Sequence, residues 1–299
     1  MRVINSVEED MNIAIALGNF DGIHLAHRQI IKNCVDYAKN NNLKSCVLLF
    51  DIHTDSLLKK REIKLITTLE EKKIILKNLG IDFLLVREFN EETMKMSGEE
   101  FLDFLKCNLR VKAIFAGYDY TFGHKAMWGA SFLEKFGKEN DIYTDIVSEI
   151  DVDKKPVSST DIRELIKNGD MISAKRQLGE CYFLMGRVVF GKQNGTKMGI
   201  PTANISYDSN KLLPKDGVYK GNIQIDEKNY KCLINIGKNP TFNAKTRTVE
   251  VHIPDFSDVI YEKNIIVSFE KRIRDEIKFS KVLDLVERIN EDLKILYEE

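Results

Sequence analysis

Cysteine is scarce in this sequence and never paired. The five cysteines are odd in number, widely spaced and without a Cys-x-x-Cys pattern: Cys34, Cys46, Cys107, Cys181 and Cys232. Disulfide frameworks and structural zinc sites both depend on paired or regularly spaced cysteines. The pattern therefore predicts reduced thiols that are buried as small apolar side chains.

Long hydrophobic runs and an excess of either charge are also absent. No apolar run approaches the roughly 20 residues that span a bilayer, and residues 1–12 lack the hydrophobic segment of a secretory signal. The 45 basic and 46 acidic side chains give a formal net charge of −1, which provides no general attraction to nucleic acid or to an anionic membrane. We therefore expect a cytoplasmic protein whose partners include neither nucleic acid nor a membrane. These features carry no information on its oligomeric state.

The first half of the chain alternates short apolar runs with helical patterns. The predicted strands are Asn12–Leu17, Ser45–Phe50, Phe83–Val86, Lys112–Ala116 and Ile142–Val147. The predicted helices, in which apolar residues recur at intervals of three and four, are Leu25–Lys39, Leu69–Leu79 and Gly98–Cys107. This alternation favours a parallel sheet covered by helices, which binds ligands beyond the carboxyl ends of its strands.

The pattern changes in the second half. Residues 158–179 are predicted to be helical, and the helical signals fade after Gly179. The β-rich segments that follow are Tyr182–Phe190, Gly217–Ile225, Lys231–Ile236, Thr248–Ile253 and Ile265–Glu270. Short strands separated by Gly, Pro, Asn and Asp indicate a compact β-barrel.

The C-terminal tail has the pattern of an amphipathic helix. One stripe of apolar residues predicts that this helix packs on the barrel: Val282, Leu285, Val286, Ile289, Leu293 and Leu296. At 299 residues the chain is long enough for two domains. We place these domains at residues 1–180 and 181–299.

Two histidines stand three residues apart in GNFDGIHLAH, residues 18–27, after a predicted strand. A zinc pair on a helix usually has a spacing of four residues and a third ligand, and neither accompanies His24 and His27. Two surface histidines without a role are a second alternative. Gly18 and Gly22 favour a third, because a tight turn before a helix exposes backbone N–H groups, and the imidazoles would add two donors for a phosphate.

A second anion-binding pattern occurs in VSSTDIR, residues 157–163. The hydroxyl groups of Ser158, Ser159 and Thr160 can cap free backbone N–H groups or contact a phosphate. Arg163, one turn later, offers a bidentate donor. Helix capping alone would explain this segment. Together with the histidine turn, it favours a triphosphate held between two helix starts.

The β-rich half contains a third pattern, GIPTAN at residues 199–204. On an extended segment Thr202 and Asn204 share one face, and their hydroxyl and carboxamide oxygens are hard ligands suited to Mg²⁺ bound to ATP. The nearby glycines, among them Gly191 and Gly199, are either turn residues or points where the backbone approaches a nucleotide.

Several motifs resemble the bacterial bifunctional riboflavin kinase/FAD synthetase family. Its adenylyltransferase half, a member of the HxGH nucleotidyltransferase superfamily, is similar in GNFDGIHLAH, AGYDYTFG at 116–123 and VSSTDIR. Its kinase half is similar in GIPTAN, GVY at 217–219, NIGKNPTF at 235–242, EVHI at 250–253 and IRDEIKF at 273–279. The resemblance implies an α/β Rossmann-like HxGH nucleotidyltransferase domain followed by a β-barrel riboflavin kinase domain with a C-terminal helix.

By this resemblance, the N-terminal domain transfers AMP from ATP to FMN and releases pyrophosphate. The residues that the resemblance places around ATP are Gly18, Phe20, His24, His27, Gly117, Asp119, Ser158, Ser159, Thr160 and Arg163. The two histidines would be the catalytic pair at the phosphates. Because the attacking FMN phosphate is already an anion, positioning and charge stabilisation would supply most of the rate without a general base.

By the same resemblance, the C-terminal domain phosphorylates riboflavin to FMN with ATP. Glu250 would be the general base that takes a proton from the ribityl 5′-hydroxyl. The resemblance also implies binding roles for further residues: Thr202 and Asn204 for Mg²⁺, Gly191 and Gly199 for ATP, and Arg274 for flavin or phosphate. The predicted function is therefore the synthesis of FMN from riboflavin and of FAD from FMN.

Two segments depart from the family pattern. Ala26 replaces the glycine of H-x-G-H, and the segment from Phe50 to Thr54 keeps the Phe and His53 of F-x-P-H-P but neither proline. Because proline fixes φ, this loop is expected to follow another path. The departures leave two alternatives. One is a riboflavin kinase whose adenylyltransferase domain is impaired or uses another acceptor, and the other is a regulator that binds flavin or nucleotide without turnover.

Overall fold

A computed structural model describes residues 1–4, 11–51, 63–191, 199–238, 247–254, 256–277, 279 and 281–298. The chain divides into two compact units, Met1–Ser159 and Thr160–Glu299. The predicted boundary between functional domains at residue 180 stays a prediction.

The first unit is built on a parallel sheet. Its strands are β1 (Arg2–Ile4), β2 (Ile13–Leu17), β3 (Lys44–Phe50), β4 (Phe83–Arg87), β5 (Val111–Gly117), β6 (Thr121–Phe122), β7 (Trp128–Gly129), β8 (Tyr143–Val147), β9 (Asp151–Val152) and β10 (Lys155–Pro156). Six of them hydrogen-bond in the order β1-β4-β3-β2-β5-β8, and every pair in this sheet is parallel. Two small antiparallel pairs, β6 with β7 and β9 with β10, complete the strands of this unit.

The central strand of this sheet positions the candidate site. β2 consists of five apolar residues that are all buried, as expected for a parallel strand covered on both faces. It lies beside β5, where Ala16 pairs with Phe115. Gly18 stands two residues after Ala16, and Gly117 stands two residues after Phe115. Because the strands are parallel, both glycines lie at the same edge of the sheet.

In the described part of this unit, the strands are connected by the helices α1 (Leu25–Asn40), α2 (Leu69–Asn78), α3 (Glu91–Lys95), α4 (Gly98–Asn108) and α5 (Ala130–Asn140). At the start of α2, Thr68 and Glu71 form a capping box, in which each side chain accepts from the backbone N–H of the other residue. α1 begins differently. Its N-cap residue, His24, makes no side-chain capping hydrogen bond within the described residues.

The second unit is a closed antiparallel barrel with helices before and after it. Its elements are α6 (Ser159–Asn168), which starts at the end of the first unit, α7 (Met171–Leu178), β11 (Tyr182–Val189), β12 (Thr202–Tyr207), β13 (Gly217–Ile225), β14 (Lys228–Lys238), β15 (Arg247–His252), β16 (Asn264–Arg274) and α8 (Val282–Tyr297). The barrel order is β11-β12-β15-β14-β13-β16. α7 packs on β11 and β16, and α8 packs on β13 and β14.

The structure confirms the predicted parallel sheet, barrel and C-terminal helix, and corrects some side chains. The stripe of α8 is wrong at its first position: Val282 is 56% exposed, because the buried residues of the helix, Asp292 and Leu296, lie toward its carboxyl end. All five cysteines are free as predicted, but Cys107 is exposed near the end of α4, and Cys181 is only partly buried.

Candidate active sites

The turn between β2 and α1 has an unusual backbone. Phe20 and Ile23 have φ values of 48° and 40°, and Gly22 has a φ of 88°. A left-handed φ at a residue other than glycine is strained and persists only where surrounding structure holds it, often at functional sites. A Cβ at Gly18 would lie 3.0 Å from the ring of Phe20, so this glycine leaves room for the ring to fold back on the turn.

His24 and His27 stack on each other at the start of α1. Their ring centroids are 3.6 Å apart with an interplanar angle of 17°, and the ring of Phe20 meets His27 edge-on at 5.2 Å. The Nδ1 atoms of both histidines are buried and have no hydrogen-bond partner in the described part of the chain. Buried polar atoms are nearly always paired in folded proteins, so these two atoms make the turn a candidate ligand site.

Burial keeps both imidazoles neutral at physiological pH. It lowers the pKa of His24 to about 4, although the carboxylate of Asp21 acts in the opposite direction. Burial also lowers the pKa of His27 well below its usual value, and the neighbouring His24 and Lys72 add to this effect. A neutral imidazole still carries one N–H donor. Each ring can therefore donate to a phosphate oxygen without bearing a charge in the free protein.

The geometry favours the phosphate interpretation of the histidine pair. Within the described ranges, no group of three or more His, Cys, Asp or Glu side chains is arranged to hold a metal ion. His24 is only 6% exposed, unlike a surface histidine without a role. A stacked, buried pair at a helix start instead suits an anion that accepts from both rings.

The predicted nucleotide residues of β2 and β5 lie along one edge of the sheet. A Cβ at Gly117 would lie 3.0 Å from Oδ1 of Asp119, an exposed residue beyond the strand. Between them, the hydroxyl of Tyr118 donates to Glu149 at 2.9 Å. The structure thus brings Gly18 and Gly117 together, with Asp119 beyond the same edge.

The side chain of Ser159 makes a hydrogen bond to the backbone of the histidine turn. Its Oγ donates to the carbonyl oxygen of Asp21 at 2.8 Å, and Ser158 beside it is partly buried. Thr160 and Arg163 belong to the second unit. The predicted contacts of these four residues with the ATP phosphates stay predictions.

Of the two departures from the family pattern, the structure describes Ala26 and Phe50 but not the rest of the second segment. Ala26 lies in the first turn of α1, between the histidines, and is partly buried. Phe50 ends β3 and packs against Phe89, with ring centroids 4.8 Å apart. His53 and Thr54 lie outside the described residues, so the altered loop carries no structural test of the acceptor site.

In the second unit, GIPTAN and EVHI meet on the outer face of the barrel. Glu250 on β15 pairs with Asn204 on β12 and with Asn235 on β14. Alternate residues of a strand point to opposite faces, and the neighbouring Val251 is fully buried in the barrel interior. Thr202, Asn204 and Glu250 therefore share the outer face, and the spacing predicts a common face for Thr202 and Asn204. Asn235 also lies there, within the NIGKNPTF motif, but was not singled out from the sequence.

Thr202 and Asn204 fit a magnesium site in their chemistry. Both offer neutral oxygen ligands from one strand face, and Mg²⁺ needs few protein ligands when phosphate and water complete its shell. Gly191 lies against the carboxamide of Asn204 so closely that a Cβ would overlap it. Gly199 has a φ of 75°, a conformation that favours glycine. Gly191 thus leaves space for the carboxamide, whereas a Cβ at Gly199 would meet no atom within 4 Å.

Glu250 stands near a second carboxylate. Burial raises the pKa of Glu250 above its usual value, and the charge of Glu276 raises it further. Glu276 reaches Gly237, where a Cβ would overlap its carboxylate. A carboxylate with a raised pKa is a stronger base, which suits proton transfer from an alcohol. Glu276 was not predicted as a site residue, because in the sequence it stands next to Asp275 as one of many charged residues.

Arg274 pairs with the C-terminal helix. Its Nη2 lies 2.7 Å from Oδ2 of Asp292, and its Nε donates to both carboxylate oxygens at 3.0 and 3.1 Å. Asp292 is 1% exposed, so this is a buried ion pair. Nη1 of Arg274 donates to the carbonyl oxygen of Asp275 at 3.1 Å. These bonds engage Nε, Nη1 and Nη2 of Arg274. The predicted contact of Arg274 with flavin or phosphate stays a prediction.

Comparisons with known proteins match both units. The family model for FAD synthetase matches residues 6–161, and that for riboflavin kinase matches residues 178–298. A bifunctional riboflavin kinase/FMN adenylyltransferase from Listeria monocytogenes is 32% identical over 95% of this chain and 91% of its own length. The protein of the same name from Bacillus subtilis is 33% identical, over 95% and 92%.

A solved structure resembles the whole chain. It is described as a macrolide-efflux protein from Streptococcus pneumoniae and has a TM-score of 0.90 at 29% identity, covering 100% of this chain and 99% of that one. None of the helices in the described part of the present chain has the length and apolar character needed to cross a bilayer.

Proposed function

The chain belongs to the family of bifunctional riboflavin kinase/FMN adenylyltransferases, and we propose how its own residues carry the two reactions. The enzyme phosphorylates riboflavin to FMN and transfers AMP to FMN to give FAD. ATP is the donor in both reactions, which release ADP and pyrophosphate respectively. The family thus confirms the fold and activities predicted from the sequence. We assign adenylyl transfer to residues 1–180 and phosphorylation to residues 181–299.

We propose that adenylyl transfer takes place at the turn between β2 and α1. The observation that supports this most directly is the stacked histidine pair with two unpartnered, buried Nδ1 atoms. An oxygen of the FMN phosphate attacks the α-phosphorus of ATP, and the bond from that phosphorus to the leaving pyrophosphate oxygen breaks. Negative charge grows on the leaving group. N–H donors of His24 and His27 fixed near these oxygens would stabilise that charge.

The remaining residues of this site hold the nucleotide in our proposal. Those that line the nucleotide pocket are Gly18, Phe20, Gly117 and Asp119, and those that contact the phosphates are Ser158, Ser159, Thr160 and Arg163. The common edge of β2 and β5 supports the first group. Such positioning is valuable because it makes a reaction between two bound substrates effectively unimolecular.

In the barrel, we propose Glu250 as the general base for riboflavin. Its carboxylate takes the proton of the ribityl 5′-hydroxyl as the oxygen attacks the γ-phosphorus of ATP. Thr202 and Asn204 would hold Mg²⁺, which neutralises phosphate charge when bound. Gly191 and Gly199 would let the backbone approach ATP. Arg274 would lie near the flavin or its phosphate. A cytoplasmic location belongs to the proposal, because both reactions consume ATP.

Flavin product analysis tests the assignment of the histidines. Purified protein incubated with FMN and Mg-ATP should form FAD, whereas a His24→Ala/His27→Ala variant should lose this activity and still convert riboflavin to FMN. The kinase activity serves as the control for concentration and purity. FAD formation by the variant at the wild-type rate would overturn the proposed site. FMN accumulation without FAD by the wild-type protein would instead favour an impaired adenylyltransferase domain.

A further inference from the structure

Thr67 connects the histidine turn to a segment 45 residues away. Its Oγ1 accepts a hydrogen bond from the backbone N–H of Gly22 at 2.9 Å, and its own backbone N–H donates to Oδ1 of Asp21 at 3.1 Å. Asp21 and Thr67 are 2% and 5% exposed. Asp21 and Gly22 in the turn and Thr67 in the distant segment are therefore joined by a reciprocal, buried pair of hydrogen bonds.

These hydrogen bonds lie beside a left-handed stretch of the backbone. Gly22 has a φ of 88° and the next residue, Ile23, has a φ of 40°, and His24 follows directly. Ile66 also donates to the carboxylate of Asp21, at 3.3 Å. A left-handed stretch of this kind keeps its shape only when its surroundings determine it.

The hydroxyl of Thr67 has no part in the chemistry proposed above. Its buried hydrogen bond to the backbone of Gly22 therefore indicates a structural role in the turn. A valine at 67 would have nearly the same shape but would leave the N–H of Gly22 without its acceptor. We propose that Thr67 is a positioning residue for adenylyl transfer: its hydroxyl fixes the backbone of Gly22, and so sets the direction from which His24 and His27 meet the ATP phosphates. This inference rests on the proposed role of the two histidines.

Steady-state kinetics of FAD formation test the inference with three variants. Thr67→Val should lower kcat by at least about tenfold with a smaller change in the KM values for FMN and ATP, because small misplacements of catalytic groups are costly. Thr67→Ser, which keeps the acceptor, should retain most of the wild-type kcat. Thr68→Val is the matched control. It removes the N-cap hydroxyl of α2 from the adjacent buried position and should leave kcat within about threefold, since cap loss costs stability rather than alignment.

Riboflavin phosphorylation by the same preparations reports their concentration. Near-wild-type kcat in Thr67→Val would overturn the inference, and so would equal losses of kcat in Thr67→Val, Thr67→Ser and Thr68→Val. If Thr67→Val does not fold, Thr67→Ala provides the same comparison without a branched side chain. The His24→Ala/His27→Ala variant separates the two hypotheses. If it is inactive while Thr67→Val is normal, only the positioning role fails; if it is active, the histidine site itself fails.

Discussion

The histidine turn and the outer face of the barrel are built in different ways. In the turn, Phe20 and Ile23 adopt left-handed φ values, and buried hydrogen bonds from distant residues such as Thr67 hold the backbone. On the barrel, Asn204 and Glu250 are placed by regular strand alternation and direct pairing. We therefore expect the turn to depend on remote support, and the barrel site to depend on the side chains it displays.

The largest expected effect concerns the displayed carboxylate of the barrel. Glu250→Gln should lower kcat for riboflavin phosphorylation by at least about 100-fold, because a general base contributes about 10²–10⁴-fold. Adenylylation of supplied FMN should be unchanged. Chromatography of the flavins measures both rates in one preparation. Glu276→Gln is the matched control, and equal losses in the two variants would contradict the assignment of the base to Glu250.

The next effect tests whether the barrel also has a buried support. Asp292→Ala leaves the guanidinium of Arg274 buried without its partner, and we expect the free energy of unfolding of the barrel to fall by about 3 kcal/mol. Urea denaturation followed by residual kinase activity measures this loss. Glu287→Ala, at an exposed position of the same helix, should change it by less than about 0.5 kcal/mol. Similar losses in both variants would show that the ion pair between Arg274 and Asp292 does not specifically stabilise the barrel.

Acid should destabilise the unit that contains the histidine turn, because the turn buries neutral imidazoles. The pKa of His24 is about 4 in the folded protein against 6.5 in the unfolded chain. Between these values the unfolded chain binds more protons, so the stability of the first unit should fall as the pH drops from 6.5 toward 4, by about 2 kcal/mol at pH 4.5. The single tryptophan, Trp128, lies in this unit and reports its unfolding by fluorescence. A slope that persists unchanged in His24→Gln would contradict this explanation.

The smallest effect concerns space on the barrel surface. In Gly191→Ala the added methyl group would overlap the carboxamide of Asn204, so either the loop or the proposed magnesium ligand must move. We expect the KM for Mg-ATP in the kinase reaction to rise about tenfold, equivalent to about 1.4 kcal/mol. The KM for ATP in FAD formation serves as the internal control. An unchanged kinase KM would show that Asn204 is not constrained by this contact.

Periodicity and turn chemistry were sufficient to predict most of the fold. The apolar run of β2 and the apolar period of α2 are local signals, and both elements lie within one residue of their predicted ends. α5 was not predicted. Its Gly137 interrupts the helical pattern, yet a Cβ there would lie 2.6 Å from the carbonyl oxygen of Ile142, so glycine is needed where the helix approaches the start of β8. That requirement is invisible before the fold is known.

The candidate sites divide in the same way. The common face of Thr202 and Asn204 follows from a period of two along the strand, and the histidine pair and Glu250 follow from motifs. Thr67 and Asp292 could not be predicted, because their partners are 45 and 18 residues away and their residue types are common at helix starts and on exposed helix faces. Long-range hydrogen bonds are determined by the folded backbone rather than by local pattern.

If one chain carries two separate sites, two variants that each lack one site should complement each other when they are mixed. Glu250→Gln protein given riboflavin and Mg-ATP should form at most a trace of FAD because it makes very little FMN, and His24→Ala/His27→Ala protein should stop at FMN. When the two proteins are combined, FMN released by the second should be adenylylated by the first, and FAD should appear. Absence of FAD from the mixture, with each protein keeping its remaining activity, would contradict the account.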